Sequence, residues 1–492
     1  MIFLLSLCGG LLLTSHAPRA LRQPRAVTRT QLVCRQPYIR MGTEPWPKPR
    51  GGMPEPSGGW ARPTDGDAAE SAAPSNVTEA AADAVAPAPT QQTQTEQPPP
   101  PKQPASKPKM QPVTLTSQGA GHVNGLVLII YTGGTLGMSK DPATGALEPK
   151  PGYLREVVST MPEFKNADMP DTDMIEYDPL LDSSNIGPAD WSYLAELVGE
   201  HYFDYDGFVI VHGTDTMAYT GAALSFMLQG LGKAVVLTGS IIPMCEVYND
   251  ARRNLIISVM FAAQLDLSEV AIFFNDVLLR ANRAMKVDSS GLAAFDSPNF
   301  PPLATVGATI QTARALWRPP PAGRLRVHSK LDTKVMVVRL SPGFDDGALA
   351  ALVRGAPDLR GLVLSLYGTG NGPSHKDTFL QTIRDATSRG IVVVAVSQCP
   401  KGSVSLGTYE VGRLLLELGV VSAGDMTTEA CVTKLAYLAG RGLSDGALRD
   451  AMLTDLRGER SPALAAHIAD VRQAAIDVEA SSTSRPVRLA SL

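Results

Sequence analysis

The 492 residues contain no CxxC pair and no HExxH, and they include only 5 Cys and 7 His. Thiolate zinc sites and the usual zinc-hydrolase layouts are therefore unsupported. Cysteines at positions 8, 34, 245, 399 and 431 are too few and too scattered for a disulfide framework. Aromatics make up 6% and charged residues 19%, with 44 basic against 48 acidic side chains and a net charge of −4. A near-neutral chain without a long basic run argues against nucleic acid as the main partner. No apolar run reaches the roughly 20 residues of a spanning helix; Met1 to Leu13 is too short, so no stable membrane span is expected. No GxGxxG follows the first apolar run, GxxxxGK[ST] does not occur, and no GxSxG follows an apolar strand run. Dinucleotide sites, nucleoside triphosphate sites and a serine-hydrolase elbow all lack their signatures.

What is present divides the chain. Arg19, Arg22, Arg25, Arg29, Arg35 and Arg40 precede the first acid, Glu44. An apolar start followed by an Arg-rich, acid-poor stretch reads as a two-part targeting segment over 1–40. The competing reading is an untranslated start with true initiation at Met41. Residues 41–120 are rich in Pro, Gln and Ala and include Gln97-Pro98-Pro99-Pro100-Pro101-Lys102. Such composition offers too little apolar surface to offset ordering entropy, so a disordered spacer is expected.

From Asn124 the pattern is strand, loop, helix. Leu126–Tyr131, Gly207–Val211, Lys233–Leu237 and Val270–Phe274 are apolar runs, with helices expected over Tyr219–Gln229 and Asn249–Gln264. Unbroken apolar strands alternating with helices predict a mostly parallel sheet covered on both faces. A larger N-terminal domain thus spans 121–318. After a Pro-rich linker over 319–333, a smaller α/β domain spans 334–478, with strands at Lys334–Val338, Leu362–Leu366 and Ile391–Val396. Residues 479–492 read as a frayed tail.

Ligands of such sheets bind outside the C-terminal strand ends, and the polar clusters fall there. Thr135 follows Gly133 and Gly134 after the first strand; His212, Thr214 and Asp215 follow the second; Arg283 and Lys286 follow the fourth. A threonine hydroxyl needs a base to become a nucleophile, and a lysine can serve. The two glycines let backbone N–H groups approach an oxyanion or carboxylate. The set suits acyl transfer on an amide or ester, whereas His212 reads as structural. The competing view is that Thr and Gly merely form turns at strand ends. Asp141, Asp168, Asp171 and Asp173 read as solvated loop acids.

The motifs Tyr131-Thr132-Gly133-Gly134-Thr135, His212-Gly213-Thr214-Asp215-Thr216 and Asn282-Arg283-Ala284-Met285-Lys286 resemble, in this order, those of the bacterial-type L-asparaginases, more narrowly the cytosolic type I members. Thr238-Gly239-Ser240, Phe295 to Asn299, Tyr367 to Asn371 and Asp425 to Glu429 extend the resemblance, which runs from Val123 to Ala474. It implies an asparaginase/glutaminase-like fold and hydrolysis of L-asparagine to L-aspartate and ammonia. Thr135 would be the acylating nucleophile, with Thr214, Asp215 and Lys286 as the proton relay. Asp215 would also hold the substrate ammonium. Ser183, with Ser184 beside it, would hold the α-carboxylate, and Gly134 would line the pocket. Asn371 would be contributed across a subunit interface, which implies a homodimer or a dimer of dimers. No metal or cofactor is required.

The resemblance has departures. The loop after Thr135 carries no tyrosine where many bacterial members have one, and Tyr153 is the nearest candidate. Some members have a regulatory asparagine site built on an arginine and a cysteine. Cys399 matches the second, but Ser365 occupies the first. Three alternatives remain open: a mixed glutaminase-asparaginase, the ammonia-releasing subunit of a tRNA-dependent amidotransferase, and a non-enzymatic scaffold. Localisation is cytoplasmic, or organellar if residues 1–40 act as a targeting segment.

Overall fold

The apolar runs form strands at the expected positions. In the computed structural model, which describes residues 124–461, the first strands are β1 (Leu126–Gly133), β2 (Asp171–Leu181), β3 (Gly207–Val211) and β4 (Val235–Thr238). They continue as β5 (Val270–Phe274), β6 (Val277–Arg280), β7 (Ala304–Val306) and β8 (Ile310–Thr312). The targeting segment expected over 1–40, the Pro/Gln/Ala-rich stretch over 41–120 and the tail over 479–492 lie outside the described residues. All eight strands join one sheet in the order β8-β7-β6-β5-β4-β3-β1-β2. The five strands from β2 to β5 run parallel, and β6, β7 and β8 close the edge antiparallel. The sheet is therefore mixed, and its parallel half carries the C-terminal crest where ligands bind.

Strand β2 was not legible in the sequence. Its acids suggest a loop, yet Asp171 pairs with Leu126 and Asp173 with Leu128 across the ladder. Asp173 is buried and accepts a hydrogen bond from the Tyr205 hydroxyl at 2.9 Å, so it is not a solvated loop acid. Edge pairing to β1, rather than an apolar composition, fixes this segment as a strand.

Side chains alternate across β1. Leu128 and Ile130 enter a core with α2 (Pro188–Glu200) and α3 (Met217–Met227), whereas Val127, Ile129 and Tyr131 enter one with α1 (Tyr153–Thr160) and α4 (Ala251–Gln264). This is the period-two geometry of a strand buried on both faces. Helix α3 is apolar around its whole circumference and almost wholly buried, as such a helix must be.

The smaller domain has four parallel strands in the order β9 (Val335–Arg339), β10 (Gly361–Leu366), β11 (Val392–Ser397) and β12 (Val421–Ser422). Leu362, Leu364, Val393 and Ala395 pack with α5 (Asp346–Gly355) and α6 (Asp377–Ser388). Helix α7 (Glu410–Glu417) adds Leu415 to that core. Val363, Val392 and Val394 point the other way, toward α8 (Thr428–Gly440) and α9 (Asp445–Leu453). That second face shares one core with α2 and α3 of the large domain. Phe226 of α3 and Tyr437 of α8 stack at 6.0 Å between ring centroids. The small domain is thus docked through a dry apolar face. Among the described residues no helix is long and apolar enough to cross a membrane.

Candidate active site

Three loops meet at the C-terminal crest of the large sheet. The first follows β1 and carries Gly134 and Thr135, where Thr135 opens a single 3-10 turn over Thr135–Gly137. The second follows β3 and leads through His212, Gly213, Thr214 and Asp215 into α3. The third follows β6, where Lys286 lies in a two-residue strand paired with Phe295.

Glycine makes the first two loops meet. Gly134 has φ +88°, and a Cβ there would lie 2.5 Å from the Gly213 backbone. A Cβ on Gly213 would in turn lie 2.7 Å from the Ser183 side chain. Only side-chain-free backbones can stack this closely, and Gly134 also needs the left-handed region that other residues avoid. One residue on from this contact in each loop stand Thr135 and Thr214.

The third loop closes the cluster. Lys286 Nζ donates to Thr214 Oγ1 at 2.9 Å and to Asp215 Oδ1 at 2.7 Å. Thr214 is buried, Lys286 is largely covered, and Asp215 is two-thirds exposed. The second Asp215 oxygen has no protein partner among the described residues. Nor has the Thr135 hydroxyl, which is half-buried. A relay of hydroxyl, ammonium and carboxylate therefore lies beside a free hydroxyl and an open carboxylate oxygen. Such a layout can bind an ammonium and move a proton.

Ser183 is buried in a 3-10 turn over Ser183–Asn185, and its carbonyl accepts from Thr216 Oγ1 at 2.6 Å. Its side chain faces Gly213. Ser184 is exposed, and its N–H donates to Asp182 at 2.7 Å. Of the two serines, Ser183 is the one packed into the cluster. Asn371 stands apart in the small-domain loop after β10, where its backbone pairs with Tyr367 at 2.8 and 3.0 Å. No hydrogen bond among the described residues joins it to Thr135, Thr214, Asp215 or Lys286.

His212 is buried and neutral. Its Nδ1–H donates to the Gly213 carbonyl at 2.6 Å, and Nε2 accepts from Thr220 at 2.9 Å. Thr220 accepts in turn from Trp191 Nε1 at 3.0 Å. Burial pushes the imidazole down to about 4. The histidine thus holds the Gly213 turn, as a structural reading of the sequence expects. Thr132 adds a similar tie, donating to Val211 at 3.0 Å across the strand ends.

Sequence reasoning assigned no role to the brace behind Lys286. Arg283 is 2% exposed, and its guanidinium grips Asp425 of the small domain at 2.6 and 3.1 Å. It also donates to the Glu459 carbonyl at 2.7 Å and the Asn299 carbonyl at 2.8 Å. Burial alone would raise Asp425, but Arg283 and Ser461 hold its carboxyl below the usual range. Asn299 bonds Pro400, Gly402 and Asp425 of the small domain. The signal was there in the shared motifs containing Asn299 and Asp425, without a reason attached.

No hydrogen bond among the described residues joins Tyr153, the candidate for the missing loop tyrosine, to Thr135. Tyr153 opens α1, with its electrostatic neighbours Cys245 and Glu156. The loop itself forms a hairpin between Met138–Lys140 and Leu147–Pro149, with Lys140 held to Glu246 at 2.6 Å. Ser365 is buried within β10 and Cys399 is exposed. Among the described residues no group of three or more His, Cys, Asp or Glu is arranged to hold a metal ion.

A two-domain α/β protein with Thr, Asp and Lys gathered at one crest is a hydrolase architecture, and comparison with known proteins specifies which. Residues 126–318 match the family model described as Asparaginase, N-terminal, and residues 334–452 match the Glutaminase/Asparaginase C-terminal domain. L-asparaginase 1 of Escherichia coli (strain K12) is 44% identical over 336 residues, covering 68% of this chain and 98% of that protein. The 60 kDa lysophospholipase of Homo sapiens is 40% identical over 361 residues, covering 68% of this chain and 61% of that protein. The crystal structure of L-asparaginase I from Vibrio cholerae superposes with a TM-score of 0.64 at 38% identity, covering 69% of this chain and all of that one (100%). The chain belongs to the asparaginase family.

Proposed function

We propose that this chain hydrolyses L-asparagine to L-aspartate and ammonia through an ester on Thr135. The observation that carries the reading is the pair of hydrogen bonds from Lys286 Nζ to Thr214 and Asp215, set beside Thr135 by the Gly134–Gly213 contact. The Thr135 hydroxyl oxygen attacks the side-chain amide carbon. The C–N bond breaks, ammonia leaves with the proton that Thr135 gave up, and a β-aspartyl ester remains. Water then attacks the same carbon, the ester C–O bond breaks, and the proton returns to Thr135. Thr214 and Lys286 carry the proton between these partners. The open oxygen of Asp215 receives the substrate ammonium, Ser183 with its neighbour Ser184 receives the α-carboxylate, and the Gly134 backbone lines the pocket.

Kinship with the type I enzymes supports a homodimer, or a dimer of dimers, in which Asn371 serves the partner's site. The same kinship supports a cytoplasmic setting. The domain division of the reading is 121–318 and 334–478 about a linker at 319–333.

Ammonia release from L-asparagine and L-glutamine, measured side by side with Thr135→Ala as the blank, tests the proposal. Turnover of asparagine that disappears in the variant is expected. Turnover of glutamine alone would move the assignment to a glutaminase, and ammonia release undiminished in Thr135→Ala would overturn the nucleophile. No release from either amide would leave the scaffold or amidotransferase-subunit reading.

A further inference from the structure

A recess of about 90 Å³ lies at the opposite end of the large sheet from Thr135. It opens where β4 and β5 begin, beneath the end of α3. Its polar wall is Glu269, Arg280, Asn282, Arg318 and Arg457. Three guanidinium groups around one small recess call for an explanation, because like charges that lose water repel strongly.

Only one of the three guanidinium groups is hydrogen-bonded to a carboxylate among the described residues. Arg280 is fastened to Glu269 at 2.5 and 3.3 Å and to the carbonyl of Leu316 at 2.7 Å. Glu269 also accepts from the Arg318 backbone N–H at 3.0 Å, so its oxygens are taken. The Arg318 guanidinium makes no hydrogen bond among the described residues. Arg457 donates through Nη1 to the Leu456 carbonyl at 2.8 Å, but its Nε–H is buried without a partner. The acids and phenol that face Arg457 are Asp455, Glu459 and Tyr437, and Arg318 faces it with like charge. Glu459 is already held by Lys434 at 2.6 Å and by backbone N–H groups. Asp455 accepts from Gly458 N at 2.7 Å and lies in electrostatic reach of both Arg318 and Arg457, but it makes no hydrogen bond to either guanidinium among the described residues.

The remaining wall group has the opposite need. Asn282 is 1% exposed and donates to the Arg457 carbonyl at 3.0 Å, while its Oδ1 is buried with no donor. Buried polar atoms are rarely left this way without an occupant. A ligand that satisfies the whole wall must offer anionic oxygens to Arg318 and Arg457 and one hydroxyl to Asn282. Near neutral pH a monohydrogen phosphate group carries both functions, whereas sulfate carries no proton to donate. Guanidinium forks suit such tetrahedral oxyanions.

We propose that the recess between Asn282, Arg318 and Arg457 is a binding site for a small protonated oxyanion of the phosphate type, distinct from the Thr135 crest. It is independent of the reaction proposed above. The volume admits a phosphate group and little more.

Isothermal titration calorimetry on the full chain tests this, with inorganic phosphate, sulfate and methyl phosphate each titrated at constant ionic strength. Saturable binding of phosphate is expected, with sulfate weaker by about tenfold for the lost hydrogen bond to a buried acceptor. Arg318→Gln and Arg457→Gln should each weaken phosphate by about tenfold or more. Thr135→Ala should bind phosphate as the parent does, which separates this site from the crest. Methyl phosphate, mainly a dianion without a P–OH near neutral pH, should bind more weakly than phosphate, as sulfate does; binding as tight as phosphate would overturn the hydroxyl donation to Asn282. Absence of saturable heat, equal response to phosphate and sulfate, or unchanged binding in both arginine variants would overturn the proposal. Arg318 is half-exposed, so its substitution leaves the fold in place for the comparison.

Discussion

His212 is a structural residue at the crest, held by its surroundings. A histidine beside a threonine and an aspartate suggests a catalytic base, but burial holds it near 4 and both ring nitrogens are engaged by Gly213 and Thr220. Its folded value lies below the usual 6.5, so the unfolded chain binds the extra proton first. The stabilisation from the neutral ring is complete above about pH 6.5 and is lost as pH falls toward 4, by up to about 3 kcal/mol. Urea midpoints at neutral pH and near pH 4.5 should therefore converge for His212→Gln relative to the parent, though the variant starts lower. At the crest, Lys286→Met should reduce kcat for ammonia release by about 10²–10⁴-fold, the usual worth of a positioned proton carrier. A fall confined to KM would reduce Lys286 to a binding role.

At the scale of elements, glycines and one arginine decide what the strands alone cannot. Gly134→Ala would place a methyl against the Gly213 backbone in a left-handed conformation. The β1 and β3 loops must then part, so both stability and turnover should fall, read by thermal unfolding and ammonia release on the same sample. Arg283 acts over a longer reach, tying the Lys286 loop to Asp425 and to the segment around Glu459. Removing one partner of a buried pair costs about 3–5 kcal/mol. Asp425→Ala should approach that loss in denaturant unfolding, and Asp425→Asn, which keeps an acceptor for Arg283, should lose less. Strands β1, β3, β4, β5, β9, β10 and β11 and helices α3 and α4 were legible because apolar runs and helical spacing name them. Strand β2 was not, since its acids mask an edge strand held by β1. Helices α1, α2, α5 and α9 were missed as well.

For the whole molecule, the two domains share a core through α3 and α8, so they should unfold in one transition rather than two. The oligomer is tested by complementation. If Asn371 serves the partner's site, mixing Thr135→Ala and Asn371→Ala subunits through unfolding and refolding should restore roughly a quarter of the parent's active sites, by the symmetry of a two-fold dimer. Recovery no greater than the sum of the separate variants would place Asn371 outside the site.

The sequence alone determined the two α/β domains, because strand and helix periods are local properties, and it named Thr135, Thr214, Asp215, Lys286 and Ser183, because their motifs are contiguous. The tertiary structure decided which of these meet. The Lys286 bonds to Thr214 and Asp215 span 72 and 71 residues of chain. The brace from Arg283 to Asp425 spans 142. The unmatched Arg457 Nε and Asn282 Oδ1 are separated by most of the second domain and become one recess only on folding. Hydrogen bonds depend on distance and burial, and a sequence carries neither until the chain has closed on itself.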